Sequence, residues 1–132
     1  MKQFFLFVIV GLMLNSCIKN NPDPSWIEIT PWTLVANSNS QYPTGELTHS
    51  FSDAWVYVND ELIGVFQVSD TVKIPILKSG AVNIKVYPAI RNNGVSATKK
   101  IYPFVERYEI NTTLVQNQTL QINPITRYSP AV

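Results

Sequence analysis

Asp53-Ala54-Trp55-Val56-Tyr57-Val58-Asn59-Asp60-Glu61-Leu62-Ile63-Gly64 is the stretch on which the fold turns. A run rich in β-branched and aromatic residues enters Asn59-Asp60, and a second apolar run leaves it and closes on Gly64. A two-residue hairpin loop needs positive φ, which Asn and Asp tolerate better than most residues. The stretch therefore predicts two antiparallel strands joined by a tight turn. Side chains along a strand alternate between its faces, so Val56 and Val58 share one face and Trp55 and Tyr57 the other.

Working outward, the same period of two recurs. Val82, Ile84 and Val86 alternate with Asn83, Lys85 and Tyr87. Tyr108, Ile110, Thr112 and Leu114 alternate with Glu109, Asn111 and Thr113, and Leu120 and Ile122 with Thr119, Gln121 and Asn123. Turn chemistry separates these runs at Lys78-Ser79-Gly80, Arg91-Asn92-Asn93-Gly94 and Gln116-Asn117-Gln118. No ten-residue stretch carries an amphipathic helix. The chain is therefore expected to be all-β, a small antiparallel sandwich. Asn37 to Gly45 (NSNSQYPTG) is the longest expected loop. Pro31 and Pro88 are expected at sheet edges or bulges, where a missing N–H is tolerated.

The first residues have a different character. Lys2 is followed by an unbroken apolar run, Phe4 to Leu14. As a helix it rises about 16 Å, roughly half a bilayer's hydrocarbon core, which fits the apolar stretch of a secretory signal and not a membrane span. Ile18 to Ser25 (IKNNPDPS) is polar and carries two prolines, so it reads as a tether. Trp26 to Val132 is then long enough for one domain. Loss of Lys2 with the leader takes the formal charge from +1 to about zero, so nucleic acid is not an expected partner. Cys17 is the sole cysteine and cannot pair within the chain, so stability must come from an ordinary apolar core.

Three resemblances add to this reading. Leu14-Asn15-Ser16-Cys17 resembles the lipobox of bacterial lipoprotein precursors, Leu-x-small-Cys. That resemblance implies diacylation of the Cys17 sulfur, cleavage after Ser16 and acylation of the new amino group. It makes residues 1–16 a signal peptide, 17–25 a lipidated tether and 26–132 a single β-sandwich domain. The expected location is the bacterial cell envelope, anchored at the outer membrane in either leaflet. Asp53 to Gly64, followed by Leu77-Lys78-Ser79-Gly80 and Val82 to Val86, resembles the PEGA-type surface domain, whose pattern is VYVDGxxIG and then LxxGxHxIxV. Asp60-Glu61 stands where that family favours Asp-Gly, and the namesake tetrapeptide is absent. The whole chain also resembles a broad set of uncharacterised Bacteroidetes lipoproteins. These resemblances imply an Ig-like or PEGA-like sandwich and bring no activity with them.

Candidate chemistry is sparse. His49 is the only histidine and is expected to be solvated; no second histidine or thiolate accompanies it in a zinc site. Neither a Gly-x-Ser-x-Gly elbow nor a glycine-rich phosphate loop occurs. Asp53, Asp60, Glu61 and Asp70 fall at predicted strand ends or turns, Glu106 and Glu109 flank Arg107 as a solvated edge, and Lys99-Lys100 reads as a solvated strand end. No catalytic residue, metal ligand or cofactor is therefore expected. The aromatic residues are the more informative set. With Val56 and Val58 facing the core, Trp55 and Tyr57 form an outer platform, and Trp32 is a third candidate ligand-binding residue. The competing reading is that Trp26 to Val35 covers that outer face. Two functions follow: a non-catalytic envelope module that engages a protein partner through its sheet, or a carbohydrate-binding module using the exposed rings. A flat coplanar strip favours the glycan and a stepped or buried set favours the protein partner. The sequence places no polar cluster beside these rings, which favours the interaction module.

Overall fold

The Asn59-Asp60 turn has φ of 51° and 64°, both in the left-handed region, as the two-residue hairpin requires. It joins strand β3 (Asp53–Val58) to β4 (Glu61–Gln67). Val56 pairs with Gly64 but Tyr57 with Leu62, so Ile63 is the extra residue of a bulge. At Gly64 a Cβ would stand 2.8 Å from the tip of the Phe66 ring, so a side chain there requires that ring to shift. Gly80 has open space but φ of +88°, so backbone rotation and not crowding selects it.

The structure, a computed structural model, describes residues 21–38, 45–69 and 71–130. The other strands are β1 (Ser25–Ile29), β2 (Thr33–Leu34), β5 (Lys73–Ile76), β6 (Gly80–Arg91), β7 (Lys99–Ile101), β8 (Tyr108–Leu114), β9 (Thr119–Ile122) and β10 (Ile125–Thr126). One 3-10 turn, Asn92–Gly94, is the only helical element among the described residues. A five-stranded sheet runs β4-β3-β6, with β8 and β7 both on the far side of β6. A three-stranded sheet runs β5-β1-β9. Their inner faces meet as a sandwich: Ala54, Val56, Val58, Val82, Ile84, Val86 and Leu114 on one side, Ile27, Ile29, Ile74, Ile76 and Ile122 on the other. Each fully buried side chain of this size contributes about 1.5–3 kcal/mol before the entropy of ordering it.

The sheets are not wholly antiparallel. β1 pairs with β9, and β2 with β10, in parallel. Thr30 N–H donates to Ile122 O at 2.9 Å, Thr33 N–H to Pro124 O at 3.0 Å and Val35 N–H to Thr126 O at 2.9 Å. Trp26–Val35 thus runs beside Gln118–Thr126 as one ladder, broken only where Pro31 and Pro124 have no N–H to give. Alternation has the same period in either direction, so it left this orientation open. The ladder also decides the fate of Trp26–Val35. It belongs to the second layer, with Ile27, Ile29 and Trp32 in the core, and does not cover the outer face of the five-stranded sheet.

Two further expectations are corrected. Pro88 lies in the central strand β6, fully buried, and not at an edge. Tyr102 N–H donates to Pro88 O at 2.8 Å, so the carbonyl points away from β3, and a residue's N–H points the same way as its C=O. The missing donor therefore falls in the gap between the β8 ladder, which ends at Val86, and the β7 ladder, which begins at Ala89. Ser25, expected in the tether, is buried in β1, and its Oγ donates to Lys78 O at 3.0 Å. Residues 39–44 of the expected long loop, and Asp70, lie outside the described residues.

Candidate functional site

Strand parity puts Trp55 and Tyr57 on the outer face of the five-stranded sheet. Trp55 stands between Val65 and Tyr87, and Tyr57 between Leu62 and Lys85. The Tyr57 and Tyr87 rings meet edge to face, 5.5 Å between centroids at 69°. Trp55 is half-buried, and its Nε1 is sealed from solvent without a hydrogen-bond partner. Leu62 is 45% exposed at the margin. The face is therefore a stepped aromatic surface, not a flat strip. Trp32 is not part of it. It is 4% exposed, in the core, with Phe51 edge-on at 6.5 Å. Trp32 was a candidate only by residue type; the parallel β2–β10 pairing turns it inward.

A polar cluster that the sequence did not reveal borders these rings. Lys85 Nζ reaches Asp60 Oδ1 at 2.5 Å. Asn83 Nδ2 donates to Glu109 Oε1 at 3.0 Å and to Asn111 Oδ1 at 2.9 Å. Arg107 Nε donates to Glu109 Oε2 at 2.9 Å, and its guanidinium lies 5.9 Å from the centre of the Tyr87 ring. Hydrogen bonds from Asn83 and Arg107 hold Glu109 below the usual carboxylate range. These groups come from the β3–β4 turn, β6, β8 and the residue just before β8, and only sheet pairing makes them neighbours. No short motif contains them.

Beside Tyr87 the sheet splits. Because β6 pairs first with β8 and then with β7, the Tyr102–Arg107 connection leaves a groove of about 520 Å³. Tyr87, Tyr102, Glu106, Arg107, Glu109 and Ser129 are among its lining residues. Tyr102 is itself held between Phe51 at 5.4 Å and Phe104 at 5.5 Å.

At the other end of β3 lies a buried ionic cluster. Asp53 is fully buried, not a solvated strand end. Its carboxylate accepts from Ser52 Oγ at 2.7 Å and Arg91 Nε at 2.7 Å, and Lys99 Nζ lies 2.9 Å away. Lys99, expected to be solvated, is instead drawn in by β6–β7 pairing, which sets Arg91 opposite Lys99, while β3–β6 pairing sets Ala89 opposite Asp53. Burial pushes the Asp53 carboxyl up. Hydrogen bonds from Arg91, Ser52 and Lys99, with the Lys99 charge, outweigh that and lower it from 3.8 to about 2. The cluster is a structural anchor that staples β3 to β6 and β7.

His49 is exposed, yet tied down. Its Nε2 lies 2.8 Å from Trp32 O, which can only accept, so Nε2 carries the proton. The ring stacks on Phe51 at 4.8 Å and helps hold that residue over Trp32. Cys17 lies outside the described residues.

Comparisons of the chain with protein-family models, with curated proteins and with solved structures found no match. The class defined by the fold and this face is a small β-sandwich with an aromatic sheet surface that no other strand among the described residues covers.

Proposed function

We propose that the chain is a non-catalytic lipoprotein of the bacterial cell envelope that engages a protein partner through the outer face of its five-stranded sheet. The observation that carries this reading is the stepped set Trp55, Tyr57 and Tyr87 inside a rim of Lys85, Asp60, Arg107 and Glu109. Trp, Tyr and Arg dominate the energetics of protein interfaces, around which polar residues form the rim. Edge-to-face rings present ridges and hollows that accept side chains, where a flat sugar ring would touch only one ring at a time.

The anchor rests on Lys2, the Phe4–Leu14 run and Leu14-Asn15-Ser16-Cys17. Two or more acyl chains give stable attachment, at roughly 0.8 kcal/mol per buried methylene. Asn117 N–H donates to Pro24 O at 2.9 Å, and its Nδ2 to Asp23 Oδ2 at 3.0 Å. Only six residue steps separate Cys17 from Asp23, at most about 20 Å of chain. The end bearing the β8–β9 turn therefore stands nearest the lipid, and the sheet face is turned sideways toward neighbouring envelope proteins.

A photo-crosslinking residue at Tyr57 of the full-length chain tests the face, with the same residue at Gln121, exposed on β9 of the opposite sheet, as comparison. A discrete adduct from position 57 and none from 121 is expected. Equal labelling at both positions would remove the face from the proposal. Cys17→Ala is expected to move the protein from the membrane to the soluble fraction. Unchanged membrane retention would remove the lipid anchor.

A further inference from the structure

We propose that the groove at the split of the five-stranded sheet binds one neutral pyranose ring, with Tyr87 and Tyr102 against its C–H face and the Arg107–Glu109 pair on its hydroxyls. Four observations carry this. The groove's volume of about 520 Å³ lies in the range of small-molecule sites, about 300–1,000 Å³. Its aromatic walls are set before any ligand arrives: Tyr87 is braced by Tyr57 and Arg107, and Tyr102 by Phe51 and Phe104. Preorganised rings and charges bind without losing further rotamer freedom.

The polar partners are also fixed. Asn83 holds Glu109, Glu109 holds Arg107 through Nε, and the guanidinium still has its terminal nitrogens to donate. Neighbouring sugar hydroxyls each donate and accept, so an adjacent donor and acceptor held at a set spacing match them. Charge excludes the other classes of small ligand. Both carboxylates of the groove are paired, Glu109 with Arg107 at 2.9 Å and Glu106 with Arg127 at 3.7 Å, so the lining is close to neutral and a phosphate or carboxylate would have to compete with these carboxylates for their cations. A wholly apolar ligand would strip water from Glu106, Arg107 and Glu109 without replacing it. A neutral polyol with one apolar face satisfies both halves of the lining. The groove shares Tyr87, Arg107 and Glu109 with the margin of the Trp55–Tyr57 surface, but the inference stands on the groove's own volume and lining and does not depend on the protein-partner reading.

The test uses saturation-transfer NMR on the full-length chain in a zwitterionic detergent. Probes are methyl glycosides of glucose, galactose, mannose and N-acetylglucosamine, with glucuronic acid and glucose 6-phosphate as charged counterparts. At least one neutral glycoside is expected to bind. Glu109→Gln, which keeps side-chain size, and Arg107→Gln, which removes the guanidinium, are expected to weaken that binding about tenfold or more with unchanged unfolding midpoints. Gln121→Ala, exposed on β9 of the opposite sheet, is expected to leave it unchanged. Binding by none of the neutral probes, preferential binding of the charged ones, or equal affinity in the Glu109 and Arg107 variants would each overturn the assignment.

Discussion

Asp53→Asn is expected to cost about 3 kcal/mol of folding stability at neutral pH, the lower end of what breaking a buried ion pair costs. Asp53 is fully buried, and the side chains of Arg91 and Lys99 are 28% and 23% exposed. Removing the carboxylate leaves two cations facing one another in a half-buried pocket, with only partial access to water. Exposure of the cations holds the figure at the lower end. The pH dependence has a definite sign. Asp53 titrates near 2 in the native protein and near 3.8 when unfolded. Its contribution is therefore fully present above about pH 4. Between pH 4 and 2 the unfolded chain takes up a proton that the native state refuses, and about 2 kcal/mol of stability is lost. Urea unfolding of both proteins at neutral pH and between pH 4 and 2 measures this. The gap between wild type and variant should narrow as pH falls. A gap below about 1 kcal/mol at pH 7, or one that does not change with pH, would show that the cluster does not staple the strands.

Trp32→Ala is expected to cost about 4 kcal/mol, within the usual range for emptying a buried tryptophan site. Trp32 is 4% exposed and belongs to the core cluster, with Phe51 edge-on to it. Trp55→Ala is expected to cost only about 1 kcal/mol, because Trp55 lies on the outer face and keeps part of its surface in water. Urea unfolding followed by far-ultraviolet circular dichroism separates the two without relying on tryptophan emission. The reverse order of costs would mean that the second layer does not hold Trp32 and that the sheet face is covered after all.

By itself the sequence determined the strands and the two faces of each. Asn59 and Asp60 were legible as a tight turn because two adjacent positive-φ positions admit few residue types. Val56, Val58, Ile84 and Val86 were legible as core because a period of two commits a strand to facing inward or outward along its whole length. The Phe4–Leu14 run is too short to span a bilayer as a helix, and that much follows from its length alone. Tertiary structure decided whatever depends on which strand lies beside which. Trp32 and Trp55 look alike in sequence, and the parallel β2–β10 pairing buries one while the other stays on the open face. Pro88 is tolerated in a central strand only because β7 and β8 leave a gap opposite it. Asp53 meets Arg91 and Lys99 across 38 and 46 positions, and Glu109 meets Asn83 across 26. Periodicity is a property of one strand and records nothing of its neighbours, whereas charge pairs, grooves and covered faces are properties of the packing between strands.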